Sequence, residues 1–222
     1  FVGKEALAAV SGSVNQIVTL IVEVFVGLTS GASVIIAQFY GAKDHKNLNR
    51  TLHTAYAFAI VTGAIVGLIG FWITEKVLIA MKTPSELMAD SVIYLHIYFC
   101  GMIFNIVYNM GASILRAVGD SRRPLYVLIM TCGLNIFFDI MLVVFLKMGV
   151  KGVAIATVSC QGISACMVTW ILIKGNSLFR LKIREIRFYM ASLQSVLRIG
   201  IPAALEATMY TIANLIIQIF VN

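Results

Sequence analysis

Long apolar stretches alternate with short polar ones along this chain. Six of them are roughly 20 or more residues long, the length that a helix needs to cross a bilayer. Their predicted bounds are Ser11 to Phe39, Leu52 to Ile73, Val92 to Leu115, Leu125 to Leu146, Val153 to Ile173 and Leu197 to Val221. Because 60% of its residues are hydrophobic and only 12% are charged, the 222-residue chain is predicted to be an all-α integral membrane protein.

The loops that join these stretches alternate in charge. Twelve of the 17 Lys and Arg residues lie in the loops after the first, third and fifth stretches or, for Arg198, at the edge of the last stretch. The positive-inside rule places those loops in the cytoplasm and the amino end of the chain outside. The net charge of +7 therefore predicts an orientation in a membrane rather than a nucleic-acid partner. Since membrane chains usually begin inside, we expect one more helix upstream and a chain that is a fragment.

The connection from Gly175 to Leu193 is the only long one in the sequence. Its apolar residues alternate with Arg and Lys, and they are Phe179, Leu181, Ile183, Ile186 and Phe188. The pattern fits a segment in the membrane interface whose cations point toward lipid headgroups. It fits equally well a solvated linker whose long cationic side chains extend into water.

The fourth stretch contains an acid. Thr131, Asn135 and Asp139 follow one another at intervals of four, so their oxygens line one face of a helix. A charge at the membrane centre costs at least about 2.5 kcal/mol, and an acid there usually faces a partner or a water-filled pathway. Asp139 is therefore the first candidate to bind a cation or a proton, with Asn135 beside it. Thr157 follows across a very short outer loop, so the two helices should be antiparallel neighbours with its hydroxyl in reach of the carboxylate.

Four further polar residues are secondary candidates. Glu23 and Glu206 are acids in the first and last stretches, and each is either part of a proton relay or a structural acid bonded to a neighbouring helix. Tyr94 and Asn109 lie in the third stretch. A tyrosine near the end of a span belongs more commonly to the interfacial aromatic belt than to a ligand site.

Glycine pairs predict two close helix contacts, and a proline predicts one helix kink. Gly27 and Gly31 in the first stretch, and Gly63 and Gly67 in the second, have the spacing that lets two helix backbones approach each other. Pro202 removes a helix hydrogen bond and predicts a kink in the last stretch.

No enzyme chemistry is indicated. The sequence shows no catalytic triad pattern, metal-ligand set or phosphate-binding glycine loop, so we expect no enzyme, no cofactor and no metal. The four cysteines lie inside apolar stretches and are interpreted as small packing residues. Three intramembrane carboxylates without an intramembrane Arg or Lys indicate a pathway for cations rather than anions.

Several short motifs resemble those of multidrug and toxic compound extrusion (MATE) transporters. In chain order they are Glu5-Ala-Leu-Ala-Ala-Val, Gly27-Leu-Thr-Ser-Gly31, Ala37-Gln-Phe-Tyr-Gly41-Ala-Lys-Asp44, Leu115-Arg-Ala-Val-Gly119-Asp120 with Arg123-Pro124, Asn135-x3-Asp139, Gly152-Val-Ala-Ile-Ala-Thr157 and Gly200-Ile-Pro202. Their order and spacing match throughout, and together they cover nearly the whole chain.

The resemblance implies a fold of twelve helices in two six-helix lobes. Residues 1–174 would hold helices two to six of the amino-terminal lobe, residues 175–194 a cytoplasmic inter-lobe linker, and residues 195–222 helix seven, the first of the carboxy-terminal lobe. In the DinF-like branch of the family an Asn-x3-Asp pair and a Thr of the next helix belong to a cation site, and Asn135, Asp139 and Thr157 match them. That site also uses an Asp of the first helix, which would lie upstream of Phe1. The NorM-like branch uses a helix-seven Glu further beyond the proline than Glu206, so that role is not carried over.

The resemblance and the acids together predict a secondary antiporter in the cell membrane, in bacteria the inner membrane. It is expected to export cationic amphipathic compounds in exchange for protons or sodium ions and to work as a monomer at full length. Its expected partners are small-molecule cations and the lipid bilayer. Two alternatives stay open: a lipid-precursor flippase of the same superfamily, which would need intramembrane cations, and a non-transporting scaffold, for which neutralising Asp139 would leave all activity intact.

Overall fold

The computed structural model describes residues 14–81, 83–175 and 179–221. Regular structure in these ranges is entirely helical, with π-helical turns at Ile140–Phe145 and a 3₁₀ turn at Ile183–Glu185. The helices are α1 (Asn15–Gly41), α2 (His45–Ala80), α3 (Ser85–Cys100), α4 (Met102–Ala117), α5 (Arg122–Asp139), α6 (Gly149–Ile173) and α7 (Met190–Val221). Among the described residues, four helices are long and apolar enough to span a membrane, and α3 with α4 makes a fifth if the pair is one span. The prediction of an all-α membrane protein is confirmed.

Some predicted spans begin earlier in the structure than in the prediction. The helix α2 begins at His45 rather than at Leu52, and α7 begins at Met190 rather than at Leu197. The first span was predicted to begin at Ser11, which lies outside the described residues. The 36 residues of α2 make a helix about 54 Å long, which exceeds the roughly 30 Å hydrocarbon core of a bilayer. The first turns of α2 therefore extend beyond the membrane. Their sequence is mostly polar, so hydropathy alone did not predict them as part of the helix.

Asp44 starts α2 as its N-cap. Its Oδ1 accepts a hydrogen bond from the Asn47 backbone N–H at 3.1 Å, and its Oδ2 accepts one from the Asn47 side-chain amide at 2.7 Å. These bonds favour the ionised carboxylate and hold the pKa of Asp44 below its ordinary value. The cap satisfies one of the free N–H groups of the first helical turn.

The third predicted span, Val92 to Leu115, is not one straight helix. It is divided between α3 and α4, which meet at Gly101 with a bend of 50°. The Gly101 N–H bonds to the carbonyls of both Ile97 and Tyr98, at 3.2 and 3.0 Å, as is common where an α-helix tightens at its end. A side chain at Gly101 would collide with Val158 of α6, so only glycine lets the bend pack against that helix.

The described helices pack as two compact units. The first holds residues 14–18, Ile60–Tyr108 and Leu125–Met167, and the second holds Thr19–Ala59, Asn109–Pro124 and the residues from Val168 on. The division cuts across α1, α2, α4, α5 and α6, so it does not follow whole helices. The lobe boundary predicted at residue 174 stays a prediction.

The predicted glycine contacts are confirmed, one in each unit. In the first unit, a Cβ on Gly63 would lie 2.8 Å from the Cα of Ile103, and one on Gly67 would lie 2.7 Å from the carbonyl oxygen of Phe99. The second half of α2 thus lies backbone to backbone against the α3–α4 pair.

In the second unit, Gly27 and Gly31 of α1 meet α7 at Ala204 and Gly200, where any Cβ would overlap the facing backbone. The helix α7 is continuous through Pro202, so the irregularity predicted there does not interrupt it. Close packing against α1 accounts for Gly200, which the sequence suggested only as part of a helix-breaking pair.

The long connection docks onto the start of α2 in the second unit. The Lys182 N–H donates to Nε2 of His53 at 3.1 Å, and the Tyr189 N–H donates to the Thr54 hydroxyl at 3.1 Å. His53 is only 2% exposed, and its Nδ1 bonds to the carbonyl of its own helix one turn earlier. The described part of this connection, Gly175 and residues 179–193, is therefore tethered to α2, and we call it the strap. A free linker or a segment that faced only lipid would not make these bonds.

Candidate functional site

Asp139 is the last residue of α5, immediately before the π-helical turns. The residue is half-buried, and its Oδ1 is buried without a hydrogen-bond partner. It stands 17 positions after Arg122 at the start of α5, or about 25 Å along the helix axis. The acid therefore lies beyond the middle of the span, towards the end that the charge pattern predicts to be external.

A buried carboxylate oxygen without a donor is costly. An unsatisfied buried acceptor costs about 1–3 kcal/mol, and more when it is charged. A proton or a bound cation would remove that cost by neutralising the group. The π-helical turns that follow are a common feature of functional sites, because they change the direction in which the helix presents its side chains.

A ladder of polar pairs joins α3 to α6 beside this acid. The hydroxyl of Tyr94 is hydrogen-bonded to Thr157, and that of Tyr98 to Gln161. The two tyrosine rings are nearly parallel, with centroids 6.2 Å apart, and are only 8% and 4% exposed. Because residue numbers rise together along the two rungs, α3 and α6 run in the same direction, as the predicted topology requires.

The contacts between α5 and α6 have the opposite sense. Asn135 is hydrogen-bonded to Cys160, and a Cβ on Gly152 would lie 3.2 Å from Cβ of Leu142. Residue numbers fall on α6 as they rise on α5, so the two helices are antiparallel neighbours, as the short loop between them predicted. Asp139 lies close enough to the Cys160 thiol to interact electrostatically with it.

The three sequence-predicted site residues are thus in one cluster, although not in the contacts expected. The Thr157 hydroxyl donates to the Val153 carbonyl at 2.9 Å and is occupied with Tyr94, whose hydroxyl in turn interacts with Asp139. The path from Thr157 to the carboxylate therefore runs through Tyr94 in this structure. Thr131 is not part of the cluster, because its hydroxyl bonds to carbonyls of its own helix.

Of the four secondary candidates, one lies in the cluster and three lie in the other packing unit. Tyr94 is in the cluster and is buried, so it is an interior residue rather than a member of the aromatic belt. Glu23, Asn109 and Glu206 belong to the second unit. Glu23 and Asn109 are half-buried on α1 and α4, and Glu206 is exposed on α7.

Three cluster members were not chosen from the sequence. They are Tyr98, Gln161 and Cys160, and the cysteine was interpreted as a packing residue. The available signal was the matched spacing, since Tyr94 and Tyr98 on one helix and Thr157 and Gln161 on another both step by four. The buried Oε1 of Gln161 has no hydrogen-bond partner, so the ladder ends in a free acceptor.

The donor set indicates what the cluster can bind. It offers one carboxylate together with hydroxyl and amide oxygens, which suit a proton or a hard monovalent cation. In the described part of the chain, no three His, Cys, Asp or Glu residues are close enough together to hold a metal ion. The cluster is therefore suited to reversible neutralisation of one acid.

Comparison with known proteins identifies the family to which this chain is similar. Residues 1–141 match the MatE family. The probable multidrug resistance protein YoeA of Bacillus subtilis (strain 168) is 30% identical over 230 residues, which cover 100% of this chain and 49% of that protein. The chain spans about half the length of the curated relatives it matches.

Solved structures agree with the sequence relatives. The inward-facing and outward-facing conformations of a multidrug resistance MATE family transporter of the MOP superfamily are both 25% identical to this chain. Their TM-scores are 0.87 and 0.89, over 95% and 96% of this chain and 48% of theirs. The nearly equal scores mean that the fold described here resembles both conformations about equally.

Proposed function

The chain belongs to the MatE family of transporters, and we propose that the full-length protein is a secondary antiporter that exports cationic amphipathic compounds in exchange for protons or sodium ions. It is a multi-pass membrane protein, and we place it in the cell membrane, in bacteria the inner membrane. We assign residues 1–174 to an amino-terminal lobe and residues 195–222 to the first helix of a second lobe. The relatives' description as multidrug resistance proteins supports the export of small molecules.

One observation carries the proposal: the unpartnered carboxylate oxygen of Asp139 beside the polar ladder. A carboxylate that is costly when it is charged and has no hydrogen-bond partner favours the conformation of the protein in which it can bind an ion. Antiport requires that the ion be bound in one conformation and released in the other, so that its gradient shifts the population between them. Asp139 has the position within its span and the unpartnered carboxylate oxygen that such a group needs.

The surrounding residues have separate roles in this proposal. Tyr94 can turn its hydroxyl from Thr157 toward Asp139 when the carboxylate is charged, and back when the ion neutralises it. Asn135 holds α5 to α6 through Cys160 and offers an amide oxygen near the acid. The coupling ion would therefore alter the hydrogen bonds between α3, α5 and α6, which is a local change able to bias a larger one.

The predicted cationic cargo follows from charge. The intramembrane groups of this half that carry a formal charge are acids, so a transported cation would gain attraction where an anion would be repelled. The ion and the cargo would then compete for the same negative potential, which couples inward ion movement to outward export.

The experiment is drug efflux by the full-length protein in a strain without other exporters. Asp139→Asn keeps the shape of the side chain but fixes it neutral, and it should abolish export while the protein remains folded in the membrane. Asn135→Ala should weaken export less, because it leaves the titrating group. Glu86→Gln is the matched control, since it neutralises an exposed acid in the first turn of α3 and should export like the wild type.

Two results would remove the proposal. Wild-type export by Asp139→Asn at equal expression would transfer the role to Glu23 or Glu206. Loss of export in Glu86→Gln equal to that in Asp139→Asn would show that any lost acid disturbs the protein, and the assignment of Asp139 would have no support.

A further inference from the structure

A cavity of about 470 Å³ lies between the end of α6 and the strap that follows it. Its lining consists of Ile173, the last residue of α6, and the six residues from Arg180 to Glu185. Three of those residues are cations and one is an acid. The cavity is separate from the Asp139 cluster, and its residues all belong to the second packing unit.

The strap holds its cations on one side. The Leu181 N–H donates to the Leu172 carbonyl at 3.0 Å, and the Leu181 side chain is buried. Since the backbone at Lys182 is extended, neighbouring side chains point to opposite sides. Burial of Leu181 therefore turns Arg180 and Lys182 to the opposite, exposed side of the strap, and both residues are among those that line the cavity.

The cavity retains a positive charge after its internal pairings. Lys182 Nζ lies 2.8 Å from Glu185 Oε1, which offsets one cation. Arg180 uses Nε to bond the Ile173 carbonyl at 2.9 Å, and its guanidinium carries four further N–H donors. Among the described residues, no acid lies within ion-pair distance of Arg184. Two arginines are thus available, and the planar fork of a guanidinium matches the oxygens of a phosphate.

The cavity stands at the depth of lipid headgroups. Ile173 ends a helix long enough to span the membrane, and Trp170, one turn earlier, is 59% exposed with Lys174 Nζ 4.5 Å from its ring centroid. An exposed tryptophan with a cation beside it at the end of a span is typical of the membrane interface.

Exposed apolar side chains follow the cations along the strap. Ile183 is 67% exposed and Met190 is 73% exposed, with Phe188 also exposed between them. A strap bathed only in water would bury these side chains or replace them with polar ones. Next to a bilayer, they would contact acyl chains while the arginines stay at the headgroups.

From these observations we infer that the cavity binds the phosphate of an anionic phospholipid, with Arg180 and Arg184 on the phosphate and Ile183 against the acyl chain. The strap would thereby be tied to the membrane surface by a specific lipid. A free phosphate compound could satisfy the two arginines, but it would leave Ile183 without a role.

The test is lipid retention by the purified full-length protein, measured by native mass spectrometry. The probe is phosphatidylglycerol, and phosphatidylcholine is the zwitterionic control lipid. We expect retention of phosphatidylglycerol over phosphatidylcholine. Arg184→Gln should weaken it about fivefold, and the double variant with Arg180→Gln about 25-fold, since a cation near a membrane surface contributes about that factor for each charge removed.

Three further variants make the test specific. Arg122→Gln removes an exposed cation at the start of α5 and should leave retention unchanged, whereas Arg184→Lys should restore part of it. Ile183→Ser keeps the charge of the cavity but should weaken the binding of phosphatidylglycerol. The change in lipid retention that added inorganic phosphate causes should be the same as in the wild type.

Three results would overturn the inference. These are equal retention of both lipids, an equal loss in Arg122→Gln and Arg184→Gln, or displacement of the lipid by inorganic phosphate with no effect of Ile183→Ser. The last result would make the cavity a site for free phosphate compounds. The inference does not depend on antiport, so it could fail while Asp139 keeps its role.

Discussion

The contact between α1 and α7 gives the sharpest structural prediction, through Gly31→Ala. The new Cβ would overlap the Gly200 backbone nitrogen and lie 2.5 Å from the Gly200 Cα and 2.6 Å from the Val196 carbonyl oxygen. Ordinary contacts begin near 3.4 Å, so the two backbones would have to separate by about 1 Å. No flexible side chain can give way at that point, and overpacking of this kind costs about 1–3 kcal/mol.

The assay is thermal unfolding of the detergent-purified full-length protein. An unfolding entropy of about 2.1 cal/mol/K per residue gives a protein of roughly twice this chain's length a loss of about 1 °C for each kcal/mol, so Gly31→Ala should melt lower by about 1–3 °C. Gly133→Ala is the matched control, because nothing lies within 4 Å of its added Cβ and Ala favours a helix over Gly by roughly 0.5–1 kcal/mol. If Gly31→Ala melted at the same temperature as Gly133→Ala, the close contact would be wrong.

Three further predictions concern orientation, acid pH and the strap. With the native cysteines replaced, impermeant reagent outside intact cells should label Ser85→Cys and spare Ser121→Cys; the reverse pattern would invert the topology. The cap at Asp44 has a lowered pKa, so it stabilises the start of α2 above the ordinary value of 3.8 and is lost as pH falls through the lower folded value. Protection of the first-turn amides of α2 against hydrogen exchange, measured relative to the intrinsic exchange rate at each pH, should therefore fall below about pH 4 in the wild type but not in Asp44→Asn, and an equal response would refute the cap. Finally, His53→Ala removes the acceptor of the part-buried Lys182 N–H, a hydrogen bond that contributes about 0.5–1.5 kcal/mol, and should speed proteolysis of the strap; unchanged cleavage would contradict its docking.

The order of the membrane helices could be predicted because hydropathy acts locally, although the described residues hold four helices long and apolar enough to span a membrane, or five with the α3–α4 pair, against six predicted. Each span is long and apolar in itself, and Gly31 and Gly67 indicated close contacts by their spacing alone. The start of α2 was missed because His45 to Thr51 are polar, and their helix is supported by the Asp44 cap and by the strap rather than by lipid. The bend at Gly101 was missed because the residue packed against it, Val158, is distant in sequence.

The candidate site could be predicted only where a residue is conspicuous from its local sequence, and not where it depends on a neighbouring helix. Asp139 and Asn135 are noticeable because polar groups are costly in lipid wherever they lie. Their partners depend on which helix is the neighbour and in which register, so Tyr98 and Gln161 could not be separated from belt or glue residues. The hydroxyl of Thr157 was expected at the carboxylate, but it prefers a carbonyl on its own helix, which is always within reach of a threonine.

The central claim is that Asp139 binds the coupling ion, and counting ions tests it most directly. Wild-type full-length protein and Asp139→Asn would be reconstituted in vesicles, and the uptake of protons or of sodium ions during export of a cationic drug would be measured for each transported molecule. We predict that ion uptake coupled to drug export occurs in the wild type and is absent in Asp139→Asn. The same ion uptake per exported drug in Asp139→Asn as in the wild type would contradict the account.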